Sequence, residues 1–585
     1  MEINRRDLLT IVALSVSFFS FAAWNLGMAQ TPVTTAQFSS GQSFIVNLGS
    51  ANDVKSVGLL LKDGYFNLTV SVGSPDNWQV ITSNILYPYN QAQNEWSLEY
   101  YKWYEVRIQQ TTRYLEFAFD QAPSSAVIAE VSVISTDNQQ ISVASVDSLD
   151  SGNQNLSILI DEQDKVQYPV TYMTQTYFDE IYFVRTAEQY LKLQIPYEWT
   201  HPPLGKLIMA SGITIFGFNP FGWRVMGVIF ATLMIPLIYF LGKELLGTWI
   251  GGFAFAFLLT FDFMHFTMAR MATVDTYVVF FSLASQLFFL IYLKRVLKDG
   301  WSTPVLPLFW AILFFALGFS TKWLELYGFA AQLAILAALR LKEITKLKKG
   351  LSDKIYAFTD HPFSAIFGFL LVAVLVYFLT YIPDVLAGRS VIDVLGLQGA
   401  MYEYHATLNA THAFSSSWWT WPLMLRPLWL YVSTLPNNVT STIVLMGNPA
   451  VWWVGFASLI LVTAKVVLDG FGKKLTKKPL EGSAIRRADL AAVFIVVIFF
   501  FQWLPYVLIS RVTFIYHFYV SVPFLCLATA YFISKYWSSK WVKVATLAYF
   551  VGVVALFALF YPAISGTPAP TSSIDSLKWL SGWSF

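Results

Sequence analysis

The sequence predicts a polytopic α-helical membrane protein that carries an extracytoplasmic β-sandwich domain inserted after its first helix. Three observations predict it. The 585 residues are 56% hydrophobic and only 13% charged, with a positive mean hydropathy, a balance that soluble domains rarely show. Apolar runs approaching the roughly 20 residues needed to cross a bilayer recur along the chain. Between the first and second of these lies a long stretch of period-two alternation punctuated by turn residues.

About eleven segments read as transmembrane helices. They lie near residues 8–28, 223–245, 249–266, 274–293, 306–320, 324–341, 363–381, 451–467, 490–510, 514–533 and 542–561. The basic clusters "KRVLKDG", "RLKEITKLKKG", "GKKLTKKP" with "IRR", and "SKYWSSKWVK" fall on the same side as Arg5 and Arg6. The positive-inside rule therefore puts the N-terminus in the cytoplasm. The chain divides into a first helix (1–29), a β domain (30–168), an outer loop (169–222), helices two to seven (223–382), a second outer loop (383–449), helices eight to eleven (450–562) and an outer tail (563–585). Residues 1–30 also fit a cleaved signal peptide ending in "GMAQ", but the length of the apolar core favours a retained anchor.

The β domain is read from "SFIVNLG", "SVGLLL", "FNLTVSVGS", "WQVITSN", "YKWYEVRIQ", "RYLEFAFD" and "AVIAEVSVIS", separated by Gly, Asp, Asn, Ser or Pro. Short alternating strands at regular spacing are the pattern of a sandwich. Their order resembles the galactose-binding-type jelly rolls of discoidin-like modules, which implies either a ligand at the loop end or a packing role alone.

Several function classes are excluded. A net charge of +2 gives no basic surplus for nucleic acid. The single cysteine, Cys526, rules out an intrachain disulfide framework. The chain has no HExxH, no P-loop, no strand-linked GxGxxG and no nucleophile elbow. Four sequons, at Asn67, Asn155, Asn409 and Asn438, all fall outside in this topology.

The chemistry-bearing residues gather in outer loops and at outer helix ends. Asp179-Glu180, in "YFDE", taken alone reads as an acidic pair at a helix N-terminus. "HPPLGK" (His201–Lys206) has two prolines that fix the backbone, placing an imidazole and an ammonium at the membrane surface. Lys206 fits either a lipid phosphate or a snorkelling role. Arg224, Arg270, Arg426, Arg511, His517, His405 and His412 add cations and imidazoles, with Trp418 and Trp419 beside them. Asp262 and Asp275 are expected partners for the arginines. Charge clustered near a bilayer is costly and normally functional. A transporter is the reading from a different class, but internal repeats and interrupted helices are not evident, and the ionisable residues gather at outer ends and loops rather than mid-helix.

"YFDE", "HPPLGK", "WRVMGVIFATLMIPLIYFL", "MARMATVDTY", "STKWLELYG", "HAFSSSWWTWPLMLRPLWLY", "MGNPAVWW" and "RVTFIYHFYVSVPF" together resemble the protein O-mannosyltransferase family, within the GT-C class of polyprenyl-phosphate-sugar glycosyltransferases. The resemblance implies a GT-C fold and an integral membrane enzyme of the prokaryotic plasma membrane with an extracytoplasmic active site. The loop at 383–449 is too short for the MIR repeats of eukaryotic members, and "THAF" stands where "HPY" is common. The implied reaction moves mannose, with inversion, from a polyprenyl- or dolichyl-phosphate donor to Ser/Thr hydroxyls of a protein acceptor. Another sugar, or a lipid or glycan acceptor, is the alternative within the class. Asp179 is then the expected base, with Glu180 orienting acceptor or sugar. His201, Lys206, Arg224, Arg426, Arg511 and His517 are the expected donor-phosphate and sugar contacts. Arg270, Asp275, His405, His412, Trp418 and Trp419 are expected to serve the acceptor or the structure. The partners are the donor lipid, the protein acceptor and the bilayer, with no nucleic acid. No cofactor is assigned with certainty, and a divalent metal (Mg or Mn), used by many GT-C enzymes, is compatible, although the sequence offers no decisive metal cage.

Overall fold

The computed structural model describes residues 3–87, 89–90, 95–96, 99–148, 155–345, 350, 352–353, 362–475 and 483–585. Parts of two predicted cytoplasmic loops, at 346–349 and 476–482, lie outside the described residues. The chain forms two units. One is helical, comprising Met1–Trp24, Gln189–Ala210 and Arg224–Phe585; the other is rich in β-structure, comprising Asn25–Glu188 and Ser211–Trp223.

Among the described residues, eight helices are long and apolar enough to cross a membrane. They are Arg5–Ala23, Pro220–Leu246, Asp275–Asp299, Phe363–Leu386, Pro449–Asp469, Leu490–Leu508, Ile515–Lys535 and Lys540–Ser565. A ninth predicted span is two helices, Trp249–Thr260 and Phe263–Ala269, bent by 60°. Asp262 makes the break. Its carboxylate caps the second helix at the His265 N–H (3.0 Å) and accepts from the Trp452 indole (2.8 Å) and the Asn448 N–H (3.3 Å). The expectation that Asp262 pairs with an arginine is thus corrected: a buried carboxylate satisfied by neutral donors stops one helix and starts another.

The remaining predicted segments form Leu306–Phe319 and Glu325–Ile344. The first has 14 residues, and at about 1.5 Å per residue it falls short of a hydrocarbon core about 30 Å thick. The second begins on Glu325 and carries Arg340 and Lys342 near its end.

The second outer loop has structure of its own. The helix Val391–Thr407 is followed by a 3-10 turn, Trp418–Leu423, and a hairpin of Leu428–Leu435 with Val439–Leu445. The hairpin turns on Asn437 and Asn438, both at positive φ (62° and 56°), where asparagine is tolerated better than most residues. Ala569–Pro570 from the C-terminal tail adds a third strand.

In the β-rich unit the predicted short strands are joined into longer ones. Ser43–Ser74 and Lys102–Ser135 pair antiparallel along most of their length and repeatedly shift register. Ala36–Phe38, Asn77–Tyr87, Gln140–Ile141 and Ser145–Ser148 complete a six-stranded sheet. The strands turn corners where side chains cannot follow: at Gly64 (φ 93°) a Cβ would stand 2.3 Å from the Ser125 carbonyl oxygen. Alternate residues point inward and build one apolar core around Phe44, Phe66, Phe117 and Phe119, all fully buried.

Candidate active site

The acidic pair belongs to the β-rich unit, where neighbouring strands hold its approach segment. Gln175 accepts from the Trp103 N–H (3.0 Å), and Thr176 donates its hydroxyl to the Tyr100 carbonyl (2.5 Å) and its N–H to the Tyr101 carbonyl (3.1 Å). Phe178 then takes a left-handed backbone (φ 50°), unusual for a bulky residue and typically retained where the surroundings enforce it. Glu180 opens the helix Glu180–Leu191, is fully buried, and accepts from the Tyr177 N–H (3.3 Å). Asp179, between them, is partly exposed. The Glu180 carboxylate thus holds the turn.

The "HPPLGK" segment belongs to the helical unit. Its glycine has a steric reason: a Cβ on Gly205 would meet Val274 Cγ1 at 2.7 Å and Thr321 Cγ2 at 3.0 Å. The Leu204 N–H donates to the Ser320 carbonyl (3.1 Å). The turn is thereby pressed against Val274, Ser320 and Thr321. The Lys206 ammonium is buried and donates to three acceptors: Glu198 Oε2 (2.6 Å), the Glu198 carbonyl (2.8 Å) and the His201 carbonyl (2.7 Å). An ammonium has three donors, and all three are engaged. Glu198 Oε1 meanwhile lies 3.0 Å from His201 Nδ1 and accepts from the Thr200 hydroxyl.

Electrostatics follow from this geometry. Burial pulls the Glu198 carboxyl upward, but the Lys206 charge and the hydrogen bonds from His201 and Lys206 outweigh it and hold Glu198 well below the usual carboxylate range. Burial lowers His201 despite Glu198, so its ring is neutral at pH 7. His405 donates from Nε2 to the Thr200 carbonyl (2.8 Å), and its ring stands 5.4 Å from that of His201. Burial, then the neighbouring His201, Arg511 and Lys322, push His405 down to about 4.

Lys322 pairs with Asp275 (2.8 Å), so Asp275 serves a lysine rather than the expected arginine, and the ammonium lies 5.3 Å from the centre of the Tyr516 ring. Tyr516 stacks on His517 (4.4 Å), which also lies parallel to Trp421 (6.0 Å). Thr513 exchanges hydrogen bonds with Ser416, its hydroxyl donating to the Ser416 carbonyl and its carbonyl accepting the Ser416 N–H, each 2.9 Å. This ties the "HAFSSSWW" loop beside Arg511. Arg511 is partly exposed and within electrostatic reach of His405 and His517. Among the described residues it has no acidic partner.

Arg224 is fully buried in the helical unit. Arg270 donates to the carbonyls of Ala22 (2.6 Å), Trp24 (2.7 Å) and Ser565 (3.2 Å), tying the ends of two helices. His412 is exposed and accepts the Phe414 N–H (3.1 Å). Trp418 packs on Trp503 (5.1 Å), while Trp419 and Arg426 are exposed. Glu198 and Lys322 were missed as site residues, although both lay inside or beside quoted motifs. The spacing of Glu198 three residues before His201 was the available signal.

Among the described residues, one group could offer three carboxylates: Glu130, Asp161 and Glu162, in the β-rich unit. It does not fit a divalent ion. Glu162 already accepts from the Val33 and Thr34 N–H groups (2.6 and 2.9 Å), and Lys165 lies 2.5 Å from its other oxygen. A lysine stands where a cation would be needed.

Residues 200–353 match the family model described as dolichyl-phosphate-mannose-protein mannosyltransferase, and residues 390–583 match the C-terminal four-transmembrane region of protein O-mannosyltransferase. The chain is 23% identical over 448 residues to the polyprenol-phosphate-mannose–protein mannosyltransferase of Mycolicibacterium smegmatis, covering 66% of this chain and 81% of the relative. The Mycobacterium tuberculosis counterpart is 24% identical over 451 residues, covering 66% and 80%. A chain of the Saccharomyces cerevisiae protein O-mannosyltransferase Pmt1-Pmt2 complex, solved bound to the sugar donor, superposes with a TM-score of 0.59 at 14% identity, covering 70% of this chain and 89% of that one. Fold and matched regions together define an integral membrane glycosyltransferase of the GT-C class. The two matched regions take in well over half of the chain, and the chain belongs to the protein O-mannosyltransferase family.

Proposed function

We propose that this enzyme transfers mannose from a polyprenyl-phosphate carrier to Ser/Thr hydroxyls of proteins, with inversion, at the outer face of a prokaryotic plasma membrane. The observation that carries the reading is the charge balance of the helical unit's outer side. Lys206 and Lys322 are neutralised by Glu198 and Asp275. His405 and His201 are neutral. Arg511, partly exposed among aromatic rings and imidazoles, carries a charge that no carboxylate of the described residues answers. A lipid phosphate would supply that answer, and guanidinium geometry suits phosphate. The names of the mycobacterial relatives, polyprenol-phosphate-mannose–protein mannosyltransferases, support the donor class.

The reaction then needs few parts. The acceptor O–H bond breaks and its proton passes to the Asp179 carboxylate. The acceptor oxygen bonds to the anomeric carbon from the face opposite the phosphate, and the sugar–phosphate C–O bond breaks, its electron pair leaving on the lipid phosphate. Arg511 stabilises the charge that develops there. Glu180, bonded to the Tyr177 N–H, positions the turn that presents Asp179. The donor already holds an activated ester, so no nucleotide is consumed.

The test is wild-type protein in membranes, given polyprenyl-phosphate mannose and a Ser/Thr-rich peptide. Mannosylated peptide is expected. No product, or equal labelling of a peptide lacking hydroxyls, contradicts the reading; a faster reaction with another polyprenyl-phosphate sugar redirects it within the class.

A further inference from the structure

Beneath the Lys322–Asp275 pair, the helices Asp275–Asp299, Glu325–Ile344 and Leu490–Leu508 meet along a polar seam that no step of the transfer uses. Ser282, Ser285 and Gln286 share one face of the first, Glu325, Gly328 and Gln332 one face of the second, and Gln502 comes from the third. All are buried, the Glu325 carboxylate included (1% exposed). Two glycines make the room. A Cβ on Gly318 would stand 2.9 Å from Glu325 Cγ, and one on Gly328 would meet the amide nitrogens of Gln286 and Gln502 at 3.2 and 3.3 Å and the Ser282 hydroxyl at 3.5 Å. Each amide is oriented by what it faces. Gln286 donates to the Gly328 carbonyl (3.2 Å), which can only accept. Gln332 donates to the Ser285 hydroxyl oxygen (2.9 Å), whose own proton goes to the Ala311 carbonyl (2.9 Å). Gln502 donates to Ser282 Oγ (3.4 Å), whose proton is directed to the Glu325 carboxylate. The opposite end of each amide is therefore its oxygen. Oε1 of Gln286, Gln332 and Gln502, like Oε1 of Glu325, meets no donor among the described residues.

A cluster made only of acceptors selects its ligand. Water brings lone pairs of its own, which find no donor here. A proton on Glu325 would answer one oxygen and leave the amides as they are. A cation needs acceptors alone, and hard oxygens suit hard cations. A buried carboxylate without a counter-charge is also costly, and among the described residues no lysine or arginine pairs with Glu325. Charge then decides the valence. One carboxylate among neutral amides balances a single positive charge, whereas a divalent ion would leave one uncompensated in apolar surroundings. We propose that the seam is a binding site for a monovalent alkali cation, held by the Glu325 carboxylate and the amide oxygens of Gln286 and Gln502, with Gln332 one turn further in. The ion fastens three helices below the loop that carries Lys322. This binding is independent of which sugar the enzyme transfers.

Three full-length proteins in detergent decide it, without donor or acceptor: wild type, Glu325→Gln and Gln502→Leu, each in sodium, potassium or choline chloride at equal ionic strength. The first readout is thermal unfolding. In wild type the preferred alkali ion is expected to raise Tm over choline by about 2 °C at about 100 times its Kd, saturating with concentration. Sodium and potassium are expected to differ, because a site of fixed size discriminates between ions and charge screening does not. Glu325→Gln puts an amide N–H where the ion's charge acted, so it is expected to fold and to unfold at one temperature in all three salts. Gln502→Leu keeps the carboxylate and loses one oxygen. It is expected to need about tenfold more ion or higher, at least the cost of losing an outer-shell partner of a metal. The second readout is retention of radioactive sodium and of rubidium, a stand-in for potassium, in equilibrium dialysis. Wild type is expected to hold at least one of them, displaced by the unlabelled ion and not by choline, and Glu325→Gln to hold neither. Retention of neither isotope by wild type overturns the proposal. So does an ion dependence that survives unchanged in folded Glu325→Gln or in Gln502→Leu. Either result leaves the mannosyltransferase reading untouched.

Discussion

The two units place lysine beside glutamate in similar ways but to different ends. In the β-rich unit, Lys62 pairs with Glu188 (3.0 Å), lies 3.4 Å from the centre of the Phe218 ring, and neighbours the Arg185–Asp63 pair (2.8 Å). These cations face both a carboxylate and aromatic rings. In the helical unit, Lys206–Glu198 and Lys322–Asp275 are balanced too, but Arg511 beside them is not. Paired buried charge holds a conformation; it has little capacity left to bind a ligand. Cations in one region can thus differ in kind, and the partner decides which is structural.

The sharpest way to break this comparison is to remove one cation of each kind. Arg511→Ala is expected to lower kcat/KM by about 100- to 1000-fold, the size seen for a lost transition-state donor, with little change in thermal stability. Arg511→Lys should recover only part of it, since a point charge replaces a planar fork. Lys62→Met should do the reverse, costing roughly 3 kcal/mol through loss of the lysine counter-charge to Glu188, visible as faster hydrogen exchange in Ser43–Ser74, with kcat of the folded fraction unchanged. Equal loss of activity in both would erase the distinction.

Two carboxylates of the β-rich unit sharpen it through pH. Burial raises Glu162, but Lys165, Thr34 and Val33 outweigh it and hold the group near about 2, against 4.5 in a free chain. Its stabilisation is therefore present above pH 4.5 and disappears as pH falls toward 2. Glu130 is opposite: burial, aided by the Asp161 and Glu162 charges, pushes it up to about 9. Its contribution is present below pH 4.5 and is lost as pH rises toward 9. Glu130→Gln should flatten the alkaline decline in hydrogen-exchange protection of Lys102–Ser135, and an unchanged profile would contradict this assignment. The smallest effect is expected at Trp419, which is exposed: Trp419→Ala should raise KM for the peptide by about two- to fivefold and leave kcat alone. A fall in kcat instead would place it in the chemistry.

Much of the architecture was legible because apolar length and basic flanks are local properties. Helices were placed within a few residues, and alternation located the strands. Features set by distant partners were not legible. The break at Asp262 depends on Trp452 and Asn448, some 190 residues away. Asp275 selects Lys322 across 47 residues, so its expected arginine partner was wrong in kind. The hairpin at 428–445 lay inside a loop whose motif residues drew the reading toward chemistry. Lys206 looked available for phosphate because a sequence does not show that three acceptors surround its ammonium.

The most direct test of the account measures donor binding and mannose transfer together on Asp179→Asn. The account predicts a donor Kd within about threefold of wild type and transfer reduced by at least about 100-fold, the minimum for loss of a general base. Undiminished transfer by a correctly folded Asp179→Asn protein would contradict it.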